Sequence, residues 1–287
     1  MKVITKKAYA KVNLFLDVIS RFPNGYHEIH TVMQTVSLCD DVILSLEGEG
    51  IALSCDNQYI PQNSDNIAWR AAELFLSEIE KDKRCGVRID IKKRIPVCAG
   101  LGGGSADAAA VLCGLNELFD SPISHQRLLC IGAMIGADVP FCMTGGTVYA
   151  CGTGEVLTDI EPVNDCYIVI AVGGEGVSTP FAYSELDREY NNYKNPLSKK
   201  RVLEYLSAQN NLEGLYNVFE RVILPKRPVA QGLKNILLEG GASVALMSGS
   251  GPSVFGIFYD KEKAQKTSDK IGELGYFSYL ATPVNRE

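Results

Sequence analysis

The chain has 287 residues, 28 Lys and Arg against 34 Asp and Glu for a net charge of −6, and 46% hydrophobic residues. That is apolar surface for one large or two medium domains, and the acidic balance argues against bulk electrostatic binding of nucleic acid or an anionic membrane. Nine cysteines, odd in number and without a CxxC pair, read as reduced thiols of a cytoplasmic protein and exclude a disulfide frame or zinc site. The apolar stretch after Met1 is short and broken by Asn13 and Asp17, so neither a signal peptide nor a membrane-spanning helix is expected.

Alternating or β-branched runs predict strands at 8–19, 29–38, 41–47 and 87–91, with turn signals such as Pro23-Asn24-Gly25 between them and a helix over 66–81. In the first run Ala8, Ala10, Val12, Leu14 and Leu16 share one face and Tyr9, Lys11, Asn13 and Phe15 the other. Lys11 and Asn13 therefore point the same way, and on periodicity alone that face is a solvated one. Residues 98–110, CAGLGGGSADAAA, pass from the most permissive backbone to the best helix former, and helices are expected at 106–119 and 124–135, the second closed by Gly136 in a left-handed conformation. Short strands at 146–151 and 155–158 flank a Gly-Thr-Gly turn.

From 166 the pattern restarts with CYIVIAV, a buried type of strand, and Thr179-Pro180 suits an N-cap and first helical residue. Helices are expected at 180–187, 198–208, 211–224 and 228–239, then strands at 243–247 and 253–259, a helix at 261–274 and a strand at 278–282. Setting aside the extra helices, the order is β-α-β-β-α-β, the split arrangement of ferredoxin-like domains. The fold class is α+β, divided near residue 160 into segments 1–160 and 161–287, with no internal repeat.

A helix N-terminus presents unpaired N–H groups and partial positive charge, and glycines ahead of it let an anion approach the backbone. GLGGGS at 100–105 is thus a candidate phosphate cradle. Ser105 is either the N-cap or a hydroxyl facing a phosphate or magnesium ion, and a loop that is merely tight is the alternative. No lysine follows Gly104, as a Walker loop requires, and Ser105 stands where the dinucleotide fingerprint needs glycine. His27 and His30 have an HxxH spacing, but on a strand they face opposite ways and no third metal ligand is evident.

IPVCAGLGGGSADAAA at 95–110 resembles the ATP-phosphate motif of the GHMP kinases, the superfamily of galactokinase, homoserine kinase and mevalonate kinase. AKVNLFLDV at 10–18 with GYH at 25–27, GADVPF at 136–141 and MSGSGPSVFGIF at 247–258 agree, in order, with the branch acting on a cytidine diphosphate-linked methylerythritol. The resemblance spans most of the chain. It implies a two-domain GHMP kinase fold, the N-terminal domain like domain 2 of ribosomal protein S5 and the C-terminal one ferredoxin-like, with ATP and substrate meeting between them. It implies transfer of the γ-phosphoryl group of ATP, with Mg²⁺, to the 2-hydroxyl of that small-molecule substrate, on the methylerythritol phosphate route to isoprenoids.

On that resemblance Pro96, Val97, Cys98, Ala99, Gly100, Leu101, Gly102, Gly103, Gly104, Ser105 and Ala106 hold the triphosphate, and Asn66 and Lys93 flank the nucleotide. Asp138 matches the aspartate that accepts the hydroxyl proton and Lys11 the active-site lysine, a pair in which the lysine keeps the aspartate ionised and stabilises charge on the reacting oxygens. Asn13 stands beside the substrate, Tyr26 and His27 resemble a cytosine-recognition pair, and Tyr183 takes the place of a second stacking ring, usually phenylalanine. The plainer alternatives are a turn residue for Asp138, a core tyrosine for Tyr183, a helix cap for Asn66, a solvated basic run at 92–94 for Lys93 and a hairpin turn for the serine-glycine stretch at 248–253. The glutamate with which many of the superfamily hold magnesium has no counterpart, leaving Ser105, phosphate oxygens and water. A sister kinase for mevalonate, homoserine or a sugar, and a non-catalytic nucleotide sensor, are the competing readings. Neither nucleic acid nor membrane is expected as a partner, and oligomeric state is not written in the sequence.

Overall fold

The computed structural model describes residues 2–79, 85–189 and 215–286. The chain packs as two compact units, neither continuous in sequence: Met1–Ala10, Leu38–Ile95 and Gly102–Thr144 form the first, Lys11–Ser37, Pro96–Leu101 and Gly145–Glu287 the second. Two long strands, β1 (Val3–Arg21) and β2 (His27–Leu46), contribute residues to both.

In the first unit β4 (Val87–Lys92) lies between β3 (Ile51–Cys55), parallel to it, and the second half of β2, antiparallel from Asp41↔Lys92 to Leu46↔Val87. Among the described residues four helices complete the unit: α1 (Ile67–Glu78), α2 (Gly103–Leu118), α3 (His125–Ile135) and α4 (Asp138–Thr144). Helix α2 is buried almost all round, and its small residues Ala106, Ala108 and Ala109 let neighbouring elements approach closely, as a helix apolar on every side requires. Val42 and Leu44 of β2, Ile89 and Ile91 of β4, Phe75 of α1 and Leu112 and Leu115 of α2 belong to one buried cluster.

The second unit carries two sets of strands. The first half of β2 pairs with β5 (Thr147–Cys151) and β5 with β6 (Val156–Asp159), both antiparallel. A four-stranded antiparallel sheet has the order β10-β7-β9-β8, formed by β7 (Tyr167–Val172), β8 (Val244–Met247), β9 (Val254–Phe258) and β10 (Phe277–Ala281). That order is the ferredoxin-like arrangement read from the sequence. Helices α5 (Thr179–Glu189), α7 (Pro228–Glu239) and α8 (Lys261–Glu273) accompany it, with a short α6 (Glu220–Ile223) running into a 3₁₀ turn (Leu224–Lys226). Val169, Ala171, Leu233, Leu237, Phe258 and Ile271 lie in its core.

Several expectations need correction. The strands expected at 29–38 and 41–47 are one strand, because Asp40, which looks like a breaker, continues it with its side chain fully buried and hydrogen-bonded. Strand β3 and helix α4 were not expected; the first follows two glycines closely, and the second is only seven residues long with Pro140 in its first turn, where no helical N–H is lost. Gly136 closes α3 with φ −175°, extended and not left-handed. Helix α5 is capped by Ser178, one residue before the expected Thr179: its Oγ accepts from Phe181 N and its carbonyl from Ala182 N. The helix expected at 198–208 lies outside the described residues, as does the first part of the one expected at 211–224.

Gly114, midway along α2, has no room for a side chain: a Cβ there would stand 2.3 Å from Leu44 Cδ1 and 3.2 Å from Lys6 Cγ. Alanine would gain about 1 kcal/mol of helix propensity, but overpacking against a fully buried Leu44 costs about 1–3 kcal/mol. Gly114→Ala is therefore expected to lower the urea midpoint, and a midpoint at or above the wild-type value would contradict this packing.

Candidate active site

The glycine loop begins in the second unit. Cys98 and Gly100 are both left-handed, with φ 53° and 77°. A Cβ at Gly100 would stand 2.2 Å from the carbonyl oxygen of Ser248, so the backbones meet where no side chain fits. Ser248 Oγ donates to Gly100 O (3.0 Å) and accepts from Asn13 N (3.3 Å), Lys11 N donates to Leu101 O (3.0 Å) and Ser253 N to Ala99 O (3.3 Å). The serine-glycine stretch is thus both a turn between β8 and β9 and a strap on Ala99 and Gly100. Asn217, which no motif marks, steadies that turn by donating to Met247 O and Gly249 O, each at 2.7 Å.

The loop continues in the first unit as the start of α2. Gly102, left-handed at φ 71°, is the N-cap and supplies no side-chain hydrogen bond. Ser105 is therefore not the cap, as one alternative had it, but the third residue of the helix, and the first-turn amides of Gly103, Gly104 and Ser105 are left for a ligand. A Cβ on Gly103 would lie 3.0 Å from Ile95 Cγ2 and 3.4 Å from Lys93 Nζ, and one on Gly104 would lie 3.4 Å from Ile67 Cδ1. Beside this turn runs the corner between α3 and α4, where a Cβ on Gly136 would stand 3.9 Å from Ser105 Oγ. Asp138 is the first residue of α4 and half-buried, so it is a helix N-terminal carboxylate and not a plain turn residue.

Lys11 and Asn13 are only 5% and 3% exposed, which overturns the solvated-face reading. Lys11 Nζ donates to Asn13 Oδ1 (2.6 Å), Asn13 Nδ2 to Thr31 Oγ1 (2.8 Å) and Thr31 Oγ1 to Phe15 O (2.7 Å), a chain of bonds that orients the ammonium inside the second unit. Elsewhere in that unit the His27 ring stacks on Tyr183 with centroids 4.4 Å apart, and Tyr183 meets Phe219 edge-on at 4.9 Å. His27 Nε2 lies 2.8 Å from Asp187 Oδ1, and Arg21 reaches the other oxygen of Asp187 at 3.3 Å. Sequence reading missed Asp187, which is four positions after Tyr183 and so on the same face of α5. Tyr26 is 66% exposed and outside the stack, so the structure joins His27 to Tyr183 but not to Tyr26. His30 meets Tyr149 instead, its Nδ1 3.1 Å from the hydroxyl.

Asn66 is the N-cap of α1, its Oδ1 accepting from Ala68 N and its Nδ2 donating to Pro61 O. Lys93 is no part of a solvated run: its ammonium is buried between Asp40 Oδ2 (2.5 Å) and Asp107 Oδ2 (2.7 Å). Burial alone would lower the pKa of Lys93, but the charges of Asp107 and Asp40 outweigh it and the value is raised. Asp107 is pushed up to about 7, chiefly by burial, with Lys93 opposing and Asp40 adding to the shift. Among the described residues no group of three or more His, Cys, Asp or Glu could hold a metal, and no helix is long and apolar enough to cross a membrane.

Residues 66–146 match the GHMP kinases N terminal domain and residues 199–276 the GHMP kinases C terminal. The chain belongs to the GHMP kinase family, small-molecule phosphotransferases that use ATP. Within that family it is 43% identical over 267 residues to the 4-diphosphocytidyl-2-C-methyl-D-erythritol kinase of Acetivibrio thermocellus, covering 92% of this chain and 93% of that one. The enzyme of the same name from Geobacter sulfurreducens is 42% identical over 281 residues, 97% of this chain and 98% of its own. A crystal structure of a 4-(cytidine 5'-diphospho)-2C-methyl-D-erythritol kinase superposes with a TM-score of 0.81 at 30% identity, covering 99% of this chain and 100% of that one.

The raised Asp107 makes stability depend on pH. Its ordinary value is 3.8, so between about pH 4 and 7 the folded chain keeps a proton that the unfolded chain has released. The stability this group confers at low pH is lost as pH rises through about 7. Asp107→Asn, which cannot ionise, is expected to gain in Tm relative to wild type between pH 5 and pH 8; a difference independent of pH would refute the shift.

Proposed function

We propose that the chain transfers the γ-phosphoryl group of ATP to the 2-hydroxyl of 4-diphosphocytidyl-2-C-methyl-D-erythritol, a step in isoprenoid biosynthesis by the methylerythritol phosphate route. The observation that carries the reading is the uncapped, glycine-lined start of α2 with the Gly136–Asp138 corner beside it. An anion-binding turn next to a carboxylate is what phosphoryl transfer to an alcohol needs, since the protein positions and stabilises more than it reacts.

In this reading the backbone from Pro96 to Ala106 cradles the triphosphate, with the amides of Gly103, Gly104 and Ser105 donating to its oxygens. Asp138 accepts the proton of the attacking hydroxyl at a carboxylate oxygen, and Lys11, held by Asn13, balances negative charge on the reacting oxygens. His27, kept in place by Asp187 and stacked on Tyr183, bonds the edge of cytosine, and the exposed ring of Tyr26 is available to stack on the base. Asn66 and Lys93 flank the nucleotide with side chains already committed to the α1 cap and the Asp40–Asp107 pair. Mg²⁺ neutralises phosphate charge when bound, and the Ser105 hydroxyl suits an ion that takes one or two protein oxygens and keeps much of its water. In this reading the reaction takes place in the cytoplasm, where nine cysteines without a CxxC pair stay reduced. The same reading divides the chain near 160, between the segments 66–146 and 199–276 that match the two family domains.

ADP release from Mg-ATP, with the cytidine diphosphate-linked acceptor run in parallel with mevalonate, homoserine and galactose, tests the assignment. Turnover with the first alone is expected; turnover with another acceptor would keep the phosphate turn and sink the cytosine site. Asp138→Asn is expected to lower kcat by about 10²–10⁴ with an unchanged Tm, and a variant retaining most of its turnover would remove Asp138 as the base. Tyr26→Ala is expected to raise KM for the acceptor about tenfold, within the roughly 1–3 kcal/mol of base–aromatic stacking, with KM for ATP unmoved.

A further inference from the structure

Asp40 is out of place by the rules that govern its strand. Along β2 the alternate residues Leu38, Asp40, Val42 and Leu44 share one face, and all four are at most 1% exposed. Three of them are aliphatic. The fold alone would be served by an aliphatic fourth, because a buried carboxylate is costly unless it is fully bonded.

The carboxylate is fully bonded, and to three consecutive residues. Its Oδ1 accepts from Arg94 N (2.5 Å) and Ile95 N (2.8 Å), and its Oδ2 from Lys93 Nζ (2.5 Å). Two of those residues bear on the first turn of α2. Ile95 Cγ2 and Lys93 Nζ lie 3.0 and 3.4 Å from where a Cβ on Gly103 would stand, and Lys93 Nζ also bonds Asp107 Oδ2 (2.7 Å), the fifth residue of that helix. All of these contacts fall within the first unit.

We infer that Asp40 is a positioning residue for the phosphate-binding turn: by clamping residues 93–95 it sets the floor on which Gly103 rests, and with it the direction of the first-turn amides. The inference rests on the reading of that turn as the ATP-phosphate site. Donors aimed at a developing charge act because they are preorganised, and small misplacements far from the reacting atoms are costly. Lys93 then serves as the bridge from Asp40 to α2, and not as a free cation offered to the nucleotide.

The test uses the full chain and compares wild type, Asp40→Asn and Asp40→Ala by calorimetric titration with a non-hydrolysable ATP analogue and by separate KM values for ATP and acceptor. Asparagine keeps an oxygen for the two backbone amides but turns a donor toward Lys93, so its Kd for the analogue is expected to rise about fivefold, the share of a charge-assisted hydrogen bond lost at the turn. Alanine loses both roles and is expected to weaken binding more than about tenfold, with KM for the acceptor within twofold for both variants. An asparagine variant binding within twofold of wild type overturns the inference, even if the alanine variant does not fold. So does a parallel rise of both KM values, the mark of a merely structural residue. A folded wild type that fails to bind the analogue overturns the phosphate site itself and this inference with it.

Discussion

The chemistry proposed for this chain depends on one helix start being left bare. Every α-helix begins with N–H groups that its own backbone does not pair, and most sequences cover them with a side-chain oxygen. Among the described residues four helices follow that rule, with Asn66, Ser124, Ser178 and Asp260 as caps, and α2 does not. A left-handed glycine without a side chain stands at its cap position, and two more glycines open its first turn. The cost of uncovered amides is tolerable because an anion can recover it on binding.

A bare turn and the loop that leads into it have to be held from outside, and polar residues of the same unit do that for each part. In the first, Asp40, Lys93 and Asp107 form a buried chain of charge under the turn. In the second, Ser248 and Ser253 tie Gly100 and Ala99 to the β8–β9 turn, which Asn217 steadies, while Asn13 and Thr31 orient Lys11. Buried charges and hydroxyls are poor contributors to stability when apolar residues would fit, so their concentration about the loop marks where the fold gives up stability for geometry. Asp107, pushed up to about 7 chiefly by burial, shows what burying such a carboxyl costs its charged form.

Much was legible in the sequence because periodicity and local chemistry are short-range. The alternation of CYIVIAV and the alanine run of α2 appear as expected, and strands β7 to β10 pair in the ferredoxin-like order. Errors came where a residue's partner is remote. Asp40 looked like a break because its three bonds go to residues more than fifty positions away. Ser105 looked like a cap because a serine before an alanine run usually is one. Lys93 looked solvated because its neighbours Lys92 and Arg94 are basic, yet the two carboxylates that bury it come from β2 and α2. Asp187 carried no signal beyond its spacing from Tyr183.

By itself the sequence determined the class of fold, the family and the place of the glycine turn, since these rest on residue types in fixed local order: glycines ahead of alanines, and four motifs in one succession. Only the tertiary structure decided which polar residues lie about that turn and what they bond, making Ser105 a first-turn residue, Asn66 a cap and Lys93 the link between Asp40 and Asp107. The physical reason is that a carboxylate or ammonium acquires its role from the charges and amides around it, and in this chain those are supplied by strands and helices that only folding brings together.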